Sequence, residues 1–356
     1  MSRVLITGGA GAIGAAVAKR LLADPAYDVR VADERAAPQW MREGCEIRSD
    51  DLRVAAQAQA AVRGCSQVIH LASFAGMHAH DATSAPDATS APDADAAPTR
   101  TTPNAAPARA APARPPAHTL MEYENALHGA VVRAALDGQV ERFVYVSSSL
   151  VFERAELFPT PEAHLAQCPA PLSARAYSRL AGERLCRAAH EQHGLALTIC
   201  RPSATYGPQS AAANEPGASR TLIELFEGAL AGERPLKVAA AGERTLTPTH
   251  VDDVAQAIVL ALGSPAALNE DFNVAAAHEL SVAEIARVLW QACGRDADEL
   301  ALDEVAGGDD EPARSWPAVD KARELLGWEA QIAFADGVAA IAAGSAGAGG
   351  RIGSAL

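Results

Sequence analysis

The stretch VLITGGAGAIGAAVAKRLL, residues 4–22, sets Gly8, Gly11 and Gly14 between a short apolar run and an amphipathic one. In a phosphate-binding turn the three glycines have separate tasks. Gly8 allows a tight turn, Gly11 lets the backbone approach a pyrophosphate, and Gly14 lets helix and strand pack closely. Ala12 and Ile13 then open a helix whose first N–H groups and dipole favour phosphate. Spaced glycines alone are a weak signal, but an acid, Asp33, ends the next apolar run about twenty residues on. A carboxylate there accepts hydrogen bonds from the adenosine ribose hydroxyls and repels a 2′-phosphate. NAD is therefore the expected cofactor and NADP the less favoured one, although Arg35 two residues later keeps NADP open.

The second stretch able to do chemistry is SARAYSRLAGERL, residues 173–185. As a helix it puts Arg175 and Arg179 one turn apart on a common face. Tyr177 lies midway, and two residues turn a helix by about 200°, so Tyr177 is expected to face away from whatever the arginines address. Arginine stays protonated near neutral pH. Arg175 therefore suits the binding of a carboxylate, phosphate or oxyanion better than the shuttling of a proton, and Arg179 can bond a ribose hydroxyl and carry positive charge.

These residues need elements to hold them. RVLIT (3–7), DVRVA (28–32), CEIR (45–48), QVIHLA (67–72) and RFVYVS (142–147) read as buried parallel strands, and LALTIC (195–200) as a sixth. Helical patterns fall around 12–24, 53–63 and 120–137. That alternation predicts an α/β fold, a doubly wound parallel sheet of Rossmann type over residues 1–205. Residues 206–343 are expected to form mainly a smaller, mostly helical substrate domain over the sheet's carboxyl edge, where ligands bind in such folds. Between Asp81 and His118 there is no Val, Ile, Leu, Met, Phe, Trp or Tyr, and DATSAP occurs twice in succession. Such a segment cannot offset its ordering entropy by burial, so the insertion 78–118 is expected to be a disordered loop. The tail 344–356 is expected to be flexible as well.

Composition narrows the partners. With 356 residues, of which 49% are apolar, the chain can bury a large core, and its net charge of −14 argues against nucleic acid or an anionic membrane. No apolar run reaches membrane-spanning length, and the N-terminus enters a strand directly, without a signal peptide. Cys45, Cys65, Cys168, Cys186, Cys200 and Cys293 show no Cys-x-x-Cys spacing and read as reduced thiols of a cytoplasmic protein. No metal is expected. MHAHD (77–81) lacks a third ligand at suitable spacing, and HEQH (190–193) fits a helix C-terminus, where the dipole favours histidine.

TGGAGAIG, DDLR, VIHLAS, VYVSSSLVF, RPSATYGP, THVDDVA, FNVA and ARELLGW follow one another in an order that resembles the extended short-chain dehydrogenase/reductase family, in its NAD-dependent epimerase/dehydratase branch. The resemblance covers nearly the whole chain, apart from 78–118 and the tail. It implies that Asp51 and Leu52 contact adenine and that Leu71 and Ala72 line the nicotinamide side. It also implies a catalytic hydroxyl at Ser148, four residues before the aromatic of SSSLVF. In this family a Tyr acts as general acid/base, and a Lys one turn later lowers its pKa from about 10 and holds the nicotinamide ribose. Here the pattern departs. Leu-Ala-Gly-Glu normally follows the Lys, so Arg179 stands in the Lys position and Arg175 in the Tyr position.

The candidate catalytic residues are thus Ser148, Arg175, Tyr177 and Arg179. Arg244 matches an arginine that binds substrate phosphate in many relatives. Ala204 stands where the nucleotide-sugar enzymes usually carry Asn. Asn125, in YENALHGAVV, resembles the asparagine of the family's Asn- and Gly-bearing helix and would brace the site. The implied function is an NAD-dependent epimerase/dehydratase-like or reductase enzyme acting by hydride transfer. Its small-molecule substrate would offer a hydroxyl or carbonyl of a sugar or sugar nucleotide, and a homodimer through two helices per subunit is implied. The alternative is a cofactor-binding homologue without turnover, acting as a sensor or assembly partner.

Overall fold

The computed structural model describes residues 1–74, 117–208, 235–239, 244–305 and 312–347, with a few positions between 222 and 232. Most of the insertion expected to be disordered, and the last residues of the tail, lie outside the described residues. Ala117 and His118 already belong to a helix, as do residues 344–347.

In chain order the first elements are β1 (Ser2–Thr7), α1 (Ala12–Leu22), β2 (Tyr27–Ala32), α2 (Gln39–Gly44), β3 (Glu46–Arg48), α3 (Ala55–Val62) and β4 (Gln67–His70). They are followed by α4 (Ala117–Asp137), β5 (Arg142–Val146), α5 (Ala174–His193) and β6 (Leu197–Pro202). After them come β7 (Thr205–Tyr206), β8 (Leu236–Ala239), β9 (Thr245–Leu246), β10 (Thr249–His250), α6 (Val251–Gly263) and β11 (Asp271–Val274). The last are β12 (Leu280–Ser281), α7 (Val282–Ala292), β13 (Leu302–Val305), α8 (Asp320–Leu326) and α9 (Phe334–Gly347).

Seven parallel strands form one sheet in the order β11-β6-β5-β4-β1-β2-β3. The order reverses between β1 and β4, and the crevice beyond the strand ends at that switch point is where a doubly wound sheet binds its ligands. Six of the strands match the expected runs. The seventh, β11, pairs Phe272 with Cys200, and a four-residue run carries no period by which sequence could tell it from a loop.

Side chains of each strand divide between two layers with period two. Val4, Ile6, Val31, Ile69 and Val144 pack with α1 and α6, while Leu5, Val68, Phe143, Tyr145 and Ile199 pack with α3, α4 and α5. Both faces are covered, which is why these strands read as continuous apolar runs. Past residue 206 the chain serves two places. α6, β11, Ala322 and Trp328 complete the first layer. Tyr206, Phe226, Ile285, Trp290 and Val338 build a separate core around α7, α9 and short two-stranded ladders. No helix among the described residues is long and apolar enough to cross a membrane.

Candidate functional site

The turn after β1 fits a close phosphate approach. Gly8 has φ +72°, and a Cβ on it would lie 2.7 Å from the Ala72 nitrogen. A Cβ on Gly14 would lie 2.5 Å from the Gly8 carbonyl oxygen and 2.6 Å from the Gly9 Cα, both immovable backbone atoms. Gly11 is the N-cap of α1 without any side chain to satisfy the first N–H groups, so Ala12 and Ile13 begin a helix whose end suits an anion. Asp33, at the end of β2, accepts the Ala10 N–H at 2.9 Å and so braces the turn itself. Its carboxylate also accepts the Arg35 backbone N–H at 2.9 Å and the Arg35 guanidinium at 3.1 Å. The two residues that argue for different cofactors are therefore one ion pair.

The neighbouring strand ends add the next contacts. Asp51 is clamped by Arg53 at 2.8 Å, and that hydrogen bond, ahead of the cost of burial, holds its carboxyl below the usual range. Arg53 in turn lies 4.5 Å over the Tyr123 ring, whose hydroxyl burial has pushed up to about 12. Leu52 is buried beside them. Leu71 and Ala72, half-buried at the end of β4, donate their N–H groups to the Thr7 carbonyl and hydroxyl at 3.1 and 3.2 Å.

β5 ends in three serines. Ser148 is half-buried and caps a short 3₁₀ turn by accepting the Leu150 N–H at 3.2 Å, which leaves its hydroxyl hydrogen to donate elsewhere. The Ser147 hydroxyl is buried without a partner. α5 opens on Ser173, whose side chain accepts the Ala176 N–H at 3.3 Å and is itself held by Glu153. Within the helix Arg179 is buried, Arg175 is exposed, and Tyr177 is 44% exposed with no polar partner for its hydroxyl among the described residues. Arg179 points to the sheet, and its Nη1 donates to the Val146 carbonyl at 3.4 Å. Arg179 and Tyr177 thus leave α5 in different directions.

Asn125 lies on the exposed face of α4, and its neighbour Glu124 is the buried one. Glu124 accepts the Ser73 hydroxyl and, at 2.7 Å, the Phe74 N–H. Its other oxygen is 2.9 Å from His128, which contacts His70 at 2.9 Å and the Tyr145 hydroxyl at 3.2 Å. Reading the motifs missed this polar group, although Glu124 and His128 stand one helical turn apart. Arg244 is buried far along the chain and donates to the Pro312 carbonyl at 3.1 Å. None of these residues lines the cavity of about 200 Å³ between Glu162, Arg187, Arg201 and Asp271, where Arg201 bonds Glu183 bidentately at 2.9 Å. Among the described residues no cluster of His, Cys, Asp and Glu could hold a metal, and MHAHD lies outside them.

This geometry has known counterparts. By sequence the chain matches an uncharacterized UDP-glucose epimerase of Bacillus subtilis, 26% identical over 208 residues, which are 58% of this chain and 61% of the relative. It matches a UDP-glucose 4-epimerase of Mycolicibacterium smegmatis at 31% over 211 residues, 59% of this chain and 64% of the relative. The chain thus spans about three fifths of the length of these curated relatives. By structure it is similar to a UDP-glucose 4-epimerase of Thermotoga maritima solved with UDP-glucose, with a TM-score of 0.73, 22% identity, and 95% and 96% of the two chains covered. A dTDP-glucose 4,6-dehydratase of Streptomyces venezuelae solved with NAD gives a TM-score of 0.74 at 23% identity, with 97% of each chain covered. Those two likenesses establish the shared fold, and the sequence itself matches one family description at residues 4–91 and 108–275, well over half its length. The chain belongs to the NAD dependent epimerase/dehydratase family.

Proposed function

We propose that this chain binds NAD across the switch point between β1 and β4 and acts on a hydroxyl or carbonyl of a nucleotide sugar. The tightness of the turn supports the cofactor, since a side chain on Gly8 or Gly14 would collide with backbone and keep the turn from closing beneath the α1 N-terminus. When bound there, NAD supplies a reversible hydride acceptor. Asp33 would hold the adenosine ribose once Arg35 yields part of its carboxylate, and Leu52 with Asp51 would flank the adenine. Leu71 and Ala72 would line the nicotinamide side. Named relatives with UDP-glucose and dTDP-glucose chemistry favour a nucleotide sugar, and Arg244 is the residue offered for its phosphates.

One observation carries the reading at the reacting end. The Arg179 guanidinium is buried and, among the described residues, makes a single hydrogen bond, to the Val146 carbonyl at the carboxyl end of β5. Its remaining N–H donors suit ribose hydroxyls, and its charge favours an oxyanion beside Ser148. Ser148 can donate its hydroxyl hydrogen to a substrate oxygen, and Arg179 offers N–H donors and charge beside it.

The exposed position of Tyr177 favours a second reading, a family member that holds the cofactor without turnover. Calorimetry with NAD and NADP, followed by proton NMR of UDP-glucose and dTDP-glucose incubated with protein and NAD, separates the two. Micromolar NAD binding with a new sugar product supports the enzyme. Binding with no product from a broader nucleotide-sugar panel supports the second reading, and no binding at millimolar cofactor overturns both.

A further inference from the structure

Behind Arg179 lies a polar cluster to which the proposed reaction gives no role. Thr7, His70 and Tyr145 are fully buried, and His128 and Glu124 are 1% and 2% exposed. They form one connected line. Thr7 Oγ1 is 2.7 Å from His70 Nδ1, and His70 Nε2 is 2.9 Å from His128 Nδ1. His128 Nε2 lies 2.9 Å from Glu124 Oε2 and 3.2 Å from the Tyr145 hydroxyl, which donates to the Arg179 carbonyl at 3.5 Å.

One arrangement of protons fits the line, with the single His128 Nε2–H shared between the Tyr145 oxygen and the contact to Glu124 Oε2, which is close but not aligned as a hydrogen bond. An ionised carboxylate only accepts, so His128 carries its proton on Nε2 and accepts at Nδ1 from His70 Nε2–H. His70 Nδ1 then accepts from the Thr7 hydroxyl, whose oxygen takes the Ala72 N–H. Burial above all, with the nearby Arg179 charge adding to it, keeps His70 well below the usual histidine range and hence neutral. Burial alone would raise Glu124, but Arg179, His128 and the Ser73 hydroxyl hold it below the ordinary carboxylate range. The polarity of the line is set by one anion on α4 and ends at the strand that leads into Gly8.

That anion also answers a charge question. Arg179 is 6% exposed and has no carboxylate partner among the described residues. A buried cation without compensation is strongly unfavourable. The nearby acid on its own helix, Glu183, is already in a bidentate pair with Arg201. Among the described residues Glu124 has no arginine or lysine in salt-bridge contact. The packing brings the two elements together closely, because a Cβ on Gly182 would lie 2.1 Å from the Tyr145 hydroxyl and 3.0 Å from the His128 ring.

We propose that Glu124 is a positioning residue of this site, the buried counter-charge that keeps the Arg179 guanidinium drawn in beneath the end of β5 and orients the Thr7–His70–His128 line. The part of this that concerns NAD affinity rests on the reading of Arg179 as a cofactor ligand. Glu124 acts through Arg179 and touches no substrate.

The test uses the full chain with E124Q, R179M and the double variant. E124Q keeps the acceptor for Ser73 and Phe74 and removes only the charge. In calorimetry with NAD, E124Q and R179M are each expected to weaken binding about tenfold, and the double variant to bind no more weakly than R179M, since Glu124 has nothing left to position. Losses that multiply in the double variant overturn the proposal. In the protein without added NAD, nitrogen-15 NMR is expected to show His70 and His128 as Nε2–H tautomers and a slowly exchanging Arg179 Nε–H. E124Q should reverse the His128 tautomer and speed that exchange, a signature that a merely space-filling role would not move. An unchanged Arg179 signal in E124Q overturns the proposal even if no protein binds NAD, which would separately sink the cofactor reading. Should E124Q alone fail to fold, adding R179M is expected to restore folding, and a double variant that stays unfolded overturns the charge pairing.

Discussion

Replacing Gly182 by Ala tests whether α5 lies as tightly over the sheet as the site requires. Helix propensity alone favours the change, by about 1 kcal/mol for Gly to Ala in a helix interior. The structure gives the opposite sign. The new methyl would lie 2.1 Å from the Tyr145 hydroxyl and 2.6 Å from its ring carbon Cζ. Tyr145 is fully buried, so it can move only by displacing His128 or the strand that carries it. Overpacking of this kind costs about 1–3 kcal/mol. Shifting the hydroxyl off His128 and the Arg179 carbonyl loses two hydrogen bonds worth about 1 kcal/mol each. Against the helix gain, the net expectation is a destabilisation of about 2–4 kcal/mol. Urea unfolding followed by circular dichroism at 222 nm would read it as a lower midpoint at unchanged slope. Combining the change with Tyr145→Phe removes the closest atom, so the two substitutions together are expected to cost about 1 kcal/mol less than their separate sum. A Gly182→Ala protein as stable as the parent, or more stable, would refute the packing of α5 on Tyr145 and with it the route from Glu124 to Arg179.

Four further outcomes are expected. Tyr177→Phe should leave stability within about 0.5 kcal/mol and NAD affinity unchanged, since the hydroxyl is exposed and unpartnered, and a hundredfold loss of any turnover would show that it swings inward. Gly14→Ala drives a methyl into the Gly8 and Gly9 backbone and should weaken NAD at least tenfold in calorimetry; unchanged affinity would remove the phosphate turn from the site. Arg35→Ala uncovers Asp33 and should shift the ratio of NAD to NADP affinity about tenfold toward NAD, whereas a shift toward NADP would contradict the ion-pair reading. Acidification should destabilise the fold in two stages. His70 is held neutral when folded but takes a proton below about 6.5 when unfolded, so the unfolded state binds more protons and stability falls as pH drops through that value. Glu124, depressed in the fold, adds its loss only below the usual carboxylate value of about 4.3, so a melting temperature flat from pH 7 to 5 would exclude the His70 contribution.

Much of the fold was legible along the chain because its signals are local. A strand buried on both faces must be apolar throughout, a turn against phosphate must be glycine, and an acid about twenty residues on must end the next strand. Gly8, Gly14 and Asp33 state those requirements by residue type alone. The direction of Tyr177 relative to Arg179 was legible too, since a helix fixes the angle between residues two apart. Sequence could not say which face the sheet would cover. Arg175 and Arg179 share a side of α5, yet only Arg179 is buried. On α4, Asn125 and Glu124 differ by about 100° of rotation, and the motif pointed to the one that packing leaves outside. The line from Thr7 through His70 and His128 joins residues 63 and 58 positions apart, and no local pattern encodes it. Burial turned five ordinary side chains into one electrostatic unit, because removing water favours polar groups that find partners in the protein.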